Sequence, residues 1–301
     1  MAARSRRPTH HVAAPVAPGA AFGRLARAHD VERLHLTPAQ CAAYERDGFV
    51  GPVPVLDAAQ VTELRRRVDD IRARLPELAP RLYEVEQGYQ DAPDRVVCHF
   101  LGGWRVDPWL HDLVFAPAVT VPLAQLLGVR QLRFWHDQVF YKPPRHPGVV
   151  PWHQDYSYWT RATPARHITL NVMLDDADED NGCVHFVPGS HRWGLLPKAP
   201  FDGDMDAVRG VLTDDQRRAF RPRPMPLRAG CASIHHSHTL HGSSANRSDR
   251  PRRAVVLNYM AADTLCGDGT RPLLRGVPRI AAGARIDGEF FPIALDLDRL
   301  A

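Results

Sequence analysis

The apolar positions of this 301-residue chain change period partway along it. Up to about residue 129 they recur at helical spacing. Thr37-Pro38-Ala39-Gln40 has the form of a capping box with proline at the first helical position, and Gly48 suits a C-terminal stop. Asp57 and Gln60 repeat the capping pattern, and behind them Val61, Leu64, Val68, Ile71 and Leu75 fall on one helical face. A further helix is expected to begin near Pro117 and to end before Gly128. From about residue 130 the period drops to two. RQLRFWHDQVFYK alternates and is rich in aromatics, as a strand would be. VVPWHQDYSYW, HITLNVMLDD, CVHFVPGSH, GCASIHHSHTLHGSS and RRAVVLNYM read as further strands, with DEDNG, PGS, RAG and SSANRSD as turns. Helices first and antiparallel-looking strands afterwards predict an α+β fold with a barrel or jelly-roll core.

Residues 1–30 lack any period and are rich in Ala, Pro and Arg, so a disordered tail is expected there. Residues 31–301 are expected to form a single domain. Within it, a helical part covers about 31–129, a β core about 130–262, and a C-terminal extension 263–301. The polar stretch 200–221 fits a lid over the barrel or a plain surface loop equally well.

Composition narrows the function classes. The 44% hydrophobic and 24% charged content is that of an ordinary globular enzyme. The net charge of +4 is modest, and much of it sits in MAARSRRPTHH. No basic stripe with interleaved aromatics is present, so no nucleic-acid partner is expected. The five cysteines (Cys41, Cys98, Cys183, Cys231, Cys266) are scattered and form no C-x-x-C, which argues against a disulfide framework or a thiolate zinc site. No signal-peptide pattern is evident. The run VFAPAVTVPLAQLLGV carries two prolines and falls short of a bilayer span, so no membrane partner is expected and a cytoplasmic location is.

The chemistry centres on His153 and Asp155. About one H-x-D is expected by chance with this many histidines, so the pair alone proves nothing. If both residues lie on one strand they point the same way. A third ligand must come from elsewhere, and His241 is the best-placed candidate. Two imidazoles and a carboxylate form a facial triad, which leaves coordination positions open and suits non-haem iron(II). Arg252, eleven residues past His241, can hold a carboxylate with two parallel hydrogen bonds, and Ser243 can add a third.

Residues 44–260 resemble the phytanoyl-CoA dioxygenase-like family of iron(II)/2-oxoglutarate oxygenases. The resemblance is carried by FWHDQVFYKPP, PWHQDYSYW, DNGCVHFVPGSH and HHSHTLHGSSANRSDRPRRA, in that order and spacing. It implies a double-stranded β-helix, a cupin-like jelly roll, with helices packed on one side. It implies iron ligation by His153, Asp155 and His241. Arg252 is implied as the partner of the C5 carboxylate of 2-oxoglutarate, with Ser243 and Gln138 as further contacts. Asn171 stands where many relatives carry Trp, and it can contact 2-oxoglutarate or admit a polar substrate. The expected cofactors are Fe(II), 2-oxoglutarate and O2, and the expected substrate is a small molecule. Relatives that halogenate lack the carboxylate ligand. Asp155 therefore argues for hydroxylation, with desaturation, ring closure or epimerisation as alternatives.

Other residues near the motifs carry weaker readings. His136, His185 and His191 lie near the motifs, and His191, which closes the PGSH turn, reads as structural. His235 and His236 read as pocket or core histidines, with His235 on the His241 face if no bulge intervenes. Trp152, Tyr156, Tyr158 and Trp159 fit a substrate pocket or plain core. Arg250 and Arg253 read as solvated. Asp175, Asp176, Asp178 and Asp180 lack the spacing of an EF-hand loop. A zinc hydrolase would need a general base, and the eight glutamates offer none near the ligands. A non-catalytic binding protein of the same fold would be expected to have lost a ligand or the arginine.

Overall fold

The structure is a computed structural model that describes residues 21–25, 27–198, 204–205 and 207–300. The expected tail lies mostly outside the described residues, as do residues 200–203 and 206 of the expected lid or loop.

The first helices form where their caps predict. α1 (Ala28–Glu32) precedes α2 (Pro38–Asp47). Thr37 accepts from the Gln40 backbone amide while the Gln40 side chain accepts from that of Thr37, and Gly48 closes the helix at φ 85°. Asp57 and Gln60 build the same reciprocal pair at the start of α3 (Ala58–Ala73), which buries Val61, Leu64, Val68 and Ile71. α4 (Leu75–Leu78), α5 (Pro108–Leu113) and α6 (Pro117–Leu127) follow, and Gly128 ends α6 at φ 66°. Among the described residues, Pro108–Leu127 is the one helical stretch long and apolar enough to cross a bilayer. It breaks between α5 and α6, and 67% of its most apolar window is buried in this fold. Val119 and Leu123 lie in the main core, and Tyr259 donates from its hydroxyl to the Val114 carbonyl at 2.8 Å.

Two antiparallel sheets carry the rest. The larger contains β1 (Phe49–Pro54), β2 (Glu84–Val85), β3 (Cys98–Leu101), β4 (Gln131–Lys142), β7 (His167–Met173), β10 (Cys231–His236), β12 (Arg252–Ala261) and β14 (Ile293–Asp296). Its order is β1-β10-β7-β12-β4-β3-β2, with β14 also paired to β4. The smaller sheet is β5 (Val150–His153), β11 (His241–Ser243), β8 (Val184–Phe186) and β9 (Arg223–Pro224), in the order β5-β11-β8-β9. A two-stranded ribbon joins β6 (Ala162–Thr163) to β13 (Leu265–Cys266). The large sheet thus draws strands from the expected helical part and from the expected C-terminal extension. These short strands carry no alternation long enough to be read in advance.

Alternation along the large sheet sorts its two faces. Val255, Leu257 and Tyr259 of β12, Ile168, Leu170 and Val172 of β7, and Ile234 of β10 join the core shared with the helices. Arg252 and Val256, Thr169 and Asn171, and His235 turn the other way and line a cavity. Arg253 lies on the helix side. Contrary to the reading of a solvated side chain, it is only 13% exposed and pairs with Asp69 of α3 at 3.0 Å and Asp175 at 2.9 Å. The acidic cluster is paired off in the same manner: Asp176 with Arg228 and Asp178 with Arg250. The described part of residues 200–221 includes α8 (Asp214–Ala219) and buries Val208, Leu212 and Phe220 against Val187 and Leu240 in a second core cluster.

Candidate metal centre

The stretch VVPWHQDYSYW is not one strand. β5 ends at His153, and Asp155 has helical dihedrals (φ −54°, ψ −44°) that open the single turn α7 (Tyr156–Trp159). The expectation that His153 and Asp155 share a strand face therefore fails in its reason, although the two side chains do converge. Gln154 holds the bend. Its amide nitrogen donates to the carbonyls of Gly194 and His238, each at 2.8 Å, and its oxygen accepts from the Leu196 amide at 2.8 Å. With this side chain anchored on both neighbours, the chain turns sharply between the two candidate ligands.

GCASIHHSHTLHGSS is likewise two strands. β10 lies in the large sheet and β11 in the small one, and residues 237–240 carry the chain from one to the other. This crossing puts His241 directly opposite His153 in the antiparallel β5–β11 pair. Candidate ligand atoms of His153, Asp155 and His241 lie within 4.8 Å of one another, and this is the one such group found among the described residues. Asp155 Oδ1 is 3.6 Å from His153 Nε2 and 3.7 Å from His241 Nε2.

The surroundings fix the protonation pattern that a metal requires. His153 Nδ1 lies 2.8 Å from the Pro151 carbonyl, and His241 Nδ1 lies 2.9 Å from that of Thr239. A carbonyl only accepts, so each Nδ1 carries a proton, and Nε2 is the ring atom each histidine turns toward the centre. Burial, with His153 and His235 nearby, drives the His241 pKa well below its usual value. Burial alone would raise Asp155, but His241, His153 and His235 outweigh it and hold the carboxylate ionised. The far oxygen of Asp155 is taken by the large sheet: Oδ2 accepts from the Thr169 hydroxyl at 2.7 Å and lies 3.0 Å from His235 Nε2. Oδ1 is left facing the two imidazoles. The roles of Thr169 and His235 come from cross-strand register between β7 and β10, where the two residues are direct partners. Sequence reading left His235 as a pocket or a core histidine and did not assign it this contact.

The triad sits in a cavity between the sheets. Gln138, Asn171, Ser243 and Arg252 line the same cavity, so every site residue expected from the sequence is brought together. Their states differ. Arg252 is 2% exposed, its Nε is buried without an acceptor, and it has no ion-pair partner among the described residues. Burial lowers its pKa to about 10. Asn171 is 4% exposed and its Oδ1 is also unpartnered. Gln138 Oε1 is 2.8 Å from His99 Nε2, and His99 Nδ1 is 3.1 Å from Glu86. Ser243 is already engaged: its hydroxyl donates to the Gly182 carbonyl at 2.8 Å and accepts from Lys142 at 2.8 Å. It therefore has no free proton for a ligand in this arrangement.

The flanking aromatics divide. Tyr156 and Trp159 join the main core, and Trp152 packs edge-on to Phe220 with ring centroids 5.2 Å apart. Tyr158 is 48% exposed beside His153, with centroids 6.0 Å apart. His136 is buried, its pKa lowered to about 4 by that burial, and it contacts Asn258.

The hypophosphite dioxygenase of Stutzerimonas stutzeri, described as probable and α-ketoglutarate-dependent, is 29% identical over 157 residues, which are 51% of this chain and 54% of that protein. The chain thus aligns with about half of that relative's length. Phytanoyl-CoA dioxygenase domain-containing protein 1 of Bos taurus is 25% identical over 75% of this chain and 91% of its own. Among solved structures, the epimerase SnoN in complex with Fe3+, α-ketoglutarate and nogalamycin RO superposes with a TM-score of 0.65. That match has 25% identity and covers 88% of this chain and 99% of SnoN. Residues 44–254 match the sequence profile of the phytanoyl-CoA dioxygenase family, and the chain belongs to that family.

Proposed function

We propose that this chain is an iron(II)/2-oxoglutarate-dependent dioxygenase that hydroxylates a C–H bond of a small-molecule substrate, releasing succinate and CO2. One observation carries the reading. A single cavity gathers the Asp155 carboxylate and the imidazoles of His153 and His241, together with the buried Arg252 guanidinium, which pairs with no carboxylate among the described residues. This donor set fits iron, and the unpaired cation fits the far carboxylate of a dicarboxylate co-substrate. No glutamate lines the cavity among the described residues, so a zinc hydrolase has no general base there.

His153, Asp155 and His241 would hold the metal through Nε2, Oδ1 and Nε2. Bound iron supplies the coupled oxidation of 2-oxoglutarate and substrate by O2. The protein's residues orient and shield that chemistry. The Pro151 and Thr239 carbonyls fix the imidazole tautomers, and Thr169 and His235 fix the carboxylate. Arg252 orients the co-substrate, with Gln138 and Asn171 as additional polar contacts. Phe140, Val150, Val184 and Val256 give the cavity apolar walls that exclude water.

Desaturation, ring closure or epimerisation is the second reading, favoured by the likeness to SnoN. We read the two facing sheets as a double-stranded β-helix, residues 31–301 as one domain, and the protein as cytoplasmic. The test is anaerobic titration with Fe(II) and 2-oxoglutarate. A weak visible charge-transfer band is expected, lost in His241→Ala and demanding far more 2-oxoglutarate in Arg252→Ala. A band unchanged in both variants sinks the assignment. Succinate formation across a metabolite panel then identifies the substrate.

A further inference from the structure

Two cations lie side by side on the cavity face of the large sheet. Lys142 ends β4, Arg252 begins β12, and the two are register partners. Lys142 is 0% exposed and Arg252 2%. Neither has a carboxylate within ion-pairing distance among the described residues. Asp175, on the other face, is taken by Arg253 and Arg65.

The Lys142 ammonium spends its three protons on a single turn. It donates to the Ser243 carbonyl at 3.2 Å, the Ser243 hydroxyl at 2.8 Å and the Ser244 carbonyl at 2.5 Å. That turn directly follows the ligand His241. Ser243 passes its own proton to Gly182, so the lysine fixes the hydroxyl's direction as well as the backbone.

We propose that Lys142 is a positioning residue for the far carboxylate of the co-substrate. It supplies the second positive charge of that subsite without touching the ligand, and it holds the Ser243 and Ser244 turn that frames it. The proposal rests on the 2-oxoglutarate reading above. A hydrogen-bonding role alone would be met by a neutral side chain, and a buried charge is a costly way to meet it. Two adjacent buried like charges repel, and no carboxylate among the described residues pairs with either of them. Burial and the Arg252 charge both drive the Lys142 pKa well below its usual range. An entering carboxylate removes that penalty, so the pair favours a ligand that is anionic at this end.

The experiment is calorimetric titration of Mn(II)-loaded protein with 2-oxoglutarate and with 2-oxobutyrate, which lacks the far carboxylate. Lys142→Met removes the charge and the donors. Lys142→Gln removes the charge but keeps a donor, and it serves if the first variant folds poorly. Each is expected to bind 2-oxoglutarate at least about tenfold more weakly while its affinity for 2-oxobutyrate stays within about twofold of the parent. A folded variant that binds 2-oxoglutarate as tightly as the parent overturns the proposal. So does one that loses both keto acids equally, which would mark a purely structural lysine. If the parent protein binds neither keto acid, the co-substrate reading itself fails, and the role of Lys142 falls with it.

Discussion

Arg252 and Arg253 are adjacent in the chain and face opposite sides of one strand. Arg253 is chelated by Asp69 and Asp175, whereas Arg252 lines the cavity and pairs with no carboxylate among the described residues. The same substitution should therefore have opposite effects at the two positions. Arg253→Met breaks a paired network and is expected to cost about 1–3 kcal/mol of stability in denaturant unfolding. Arg252→Met removes an unpaired buried charge and is expected to be neutral or stabilising by about 1 kcal/mol. Binding should reverse the order, with 2-oxoglutarate affinity falling sharply in Arg252→Met and little in Arg253→Met.

Thr169 and His235 hold the oxygen of Asp155 that faces away from the imidazoles. Thr169→Val and His235→Phe are expected to weaken metal binding by about 10- to 100-fold each, because the carboxylate is then free to rotate. Competition titration with a chromophoric chelator and Co(II) measures this directly. Affinities within about twofold of the parent would remove both residues from the metal site.

Asn171 has a buried amide oxygen without a partner in the cavity. Replacement by Leu removes an unsatisfied polar group, so the melting temperature should hold or rise. The dissociation constant for 2-oxoglutarate should increase over the same substitution. A variant that melts lower and binds unchanged would make Asn171 a framework residue.

Gly182 combines φ 77° with a close backbone: an added Cβ would meet the Ser244 carbonyl oxygen at 2.4 Å. Gly182→Ala should strain this turn and shift the acceptor of the Ser243 proton. Loss of about 1–3 kcal/mol in unfolding, together with weaker 2-oxoglutarate binding, is the expected result.

His167 is fully buried, neither ring nitrogen has a hydrogen-bond partner among the described residues, and burial followed by the charge of His136 lowers its pKa to about 3. In the unfolded chain the ring protonates near pH 6.5. Between these values the unfolded state binds more protons, so stability contributed above 6.5 is lost as pH falls toward 3. Unfolding of the parent at about pH 4 should show a deficit of a few kcal/mol relative to pH 7, and His167→Leu should shrink it. An equally steep acid limb in the variant would assign the loss to other groups.

The proposed ligands and Arg252 could be named in advance because their spacing and motif order are carried by sequence alone. The geometry that joins them was not. H-Q-D reads as a strand by its flanking aromatics, yet Gln154 bends it through contacts with residues 40 and 84 positions away. His235 and His241 read as one strand face, but the chain changes sheets between them. Lys142 looks like an ordinary strand-end lysine in FYKPP, since its three acceptors lie about a hundred residues downstream. The capped helices were readable for the opposite reason: Thr37 with Gln40 and Asp57 with Gln60 settle their ends within four residues.

The crossing at residues 237–240 has a mechanical consequence. The two imidazoles belong to the small sheet, while the Asp155 carboxylate is tethered through Thr169 and His235 to the large one. An ion seated among them would act as a clasp between the two sheets, reinforcing the chain's own crossing. Metal loading should then slow hydrogen exchange on β7 and β10 as well as on β5 and β11, so that stiffness of both sheets reports on occupancy of the site between them.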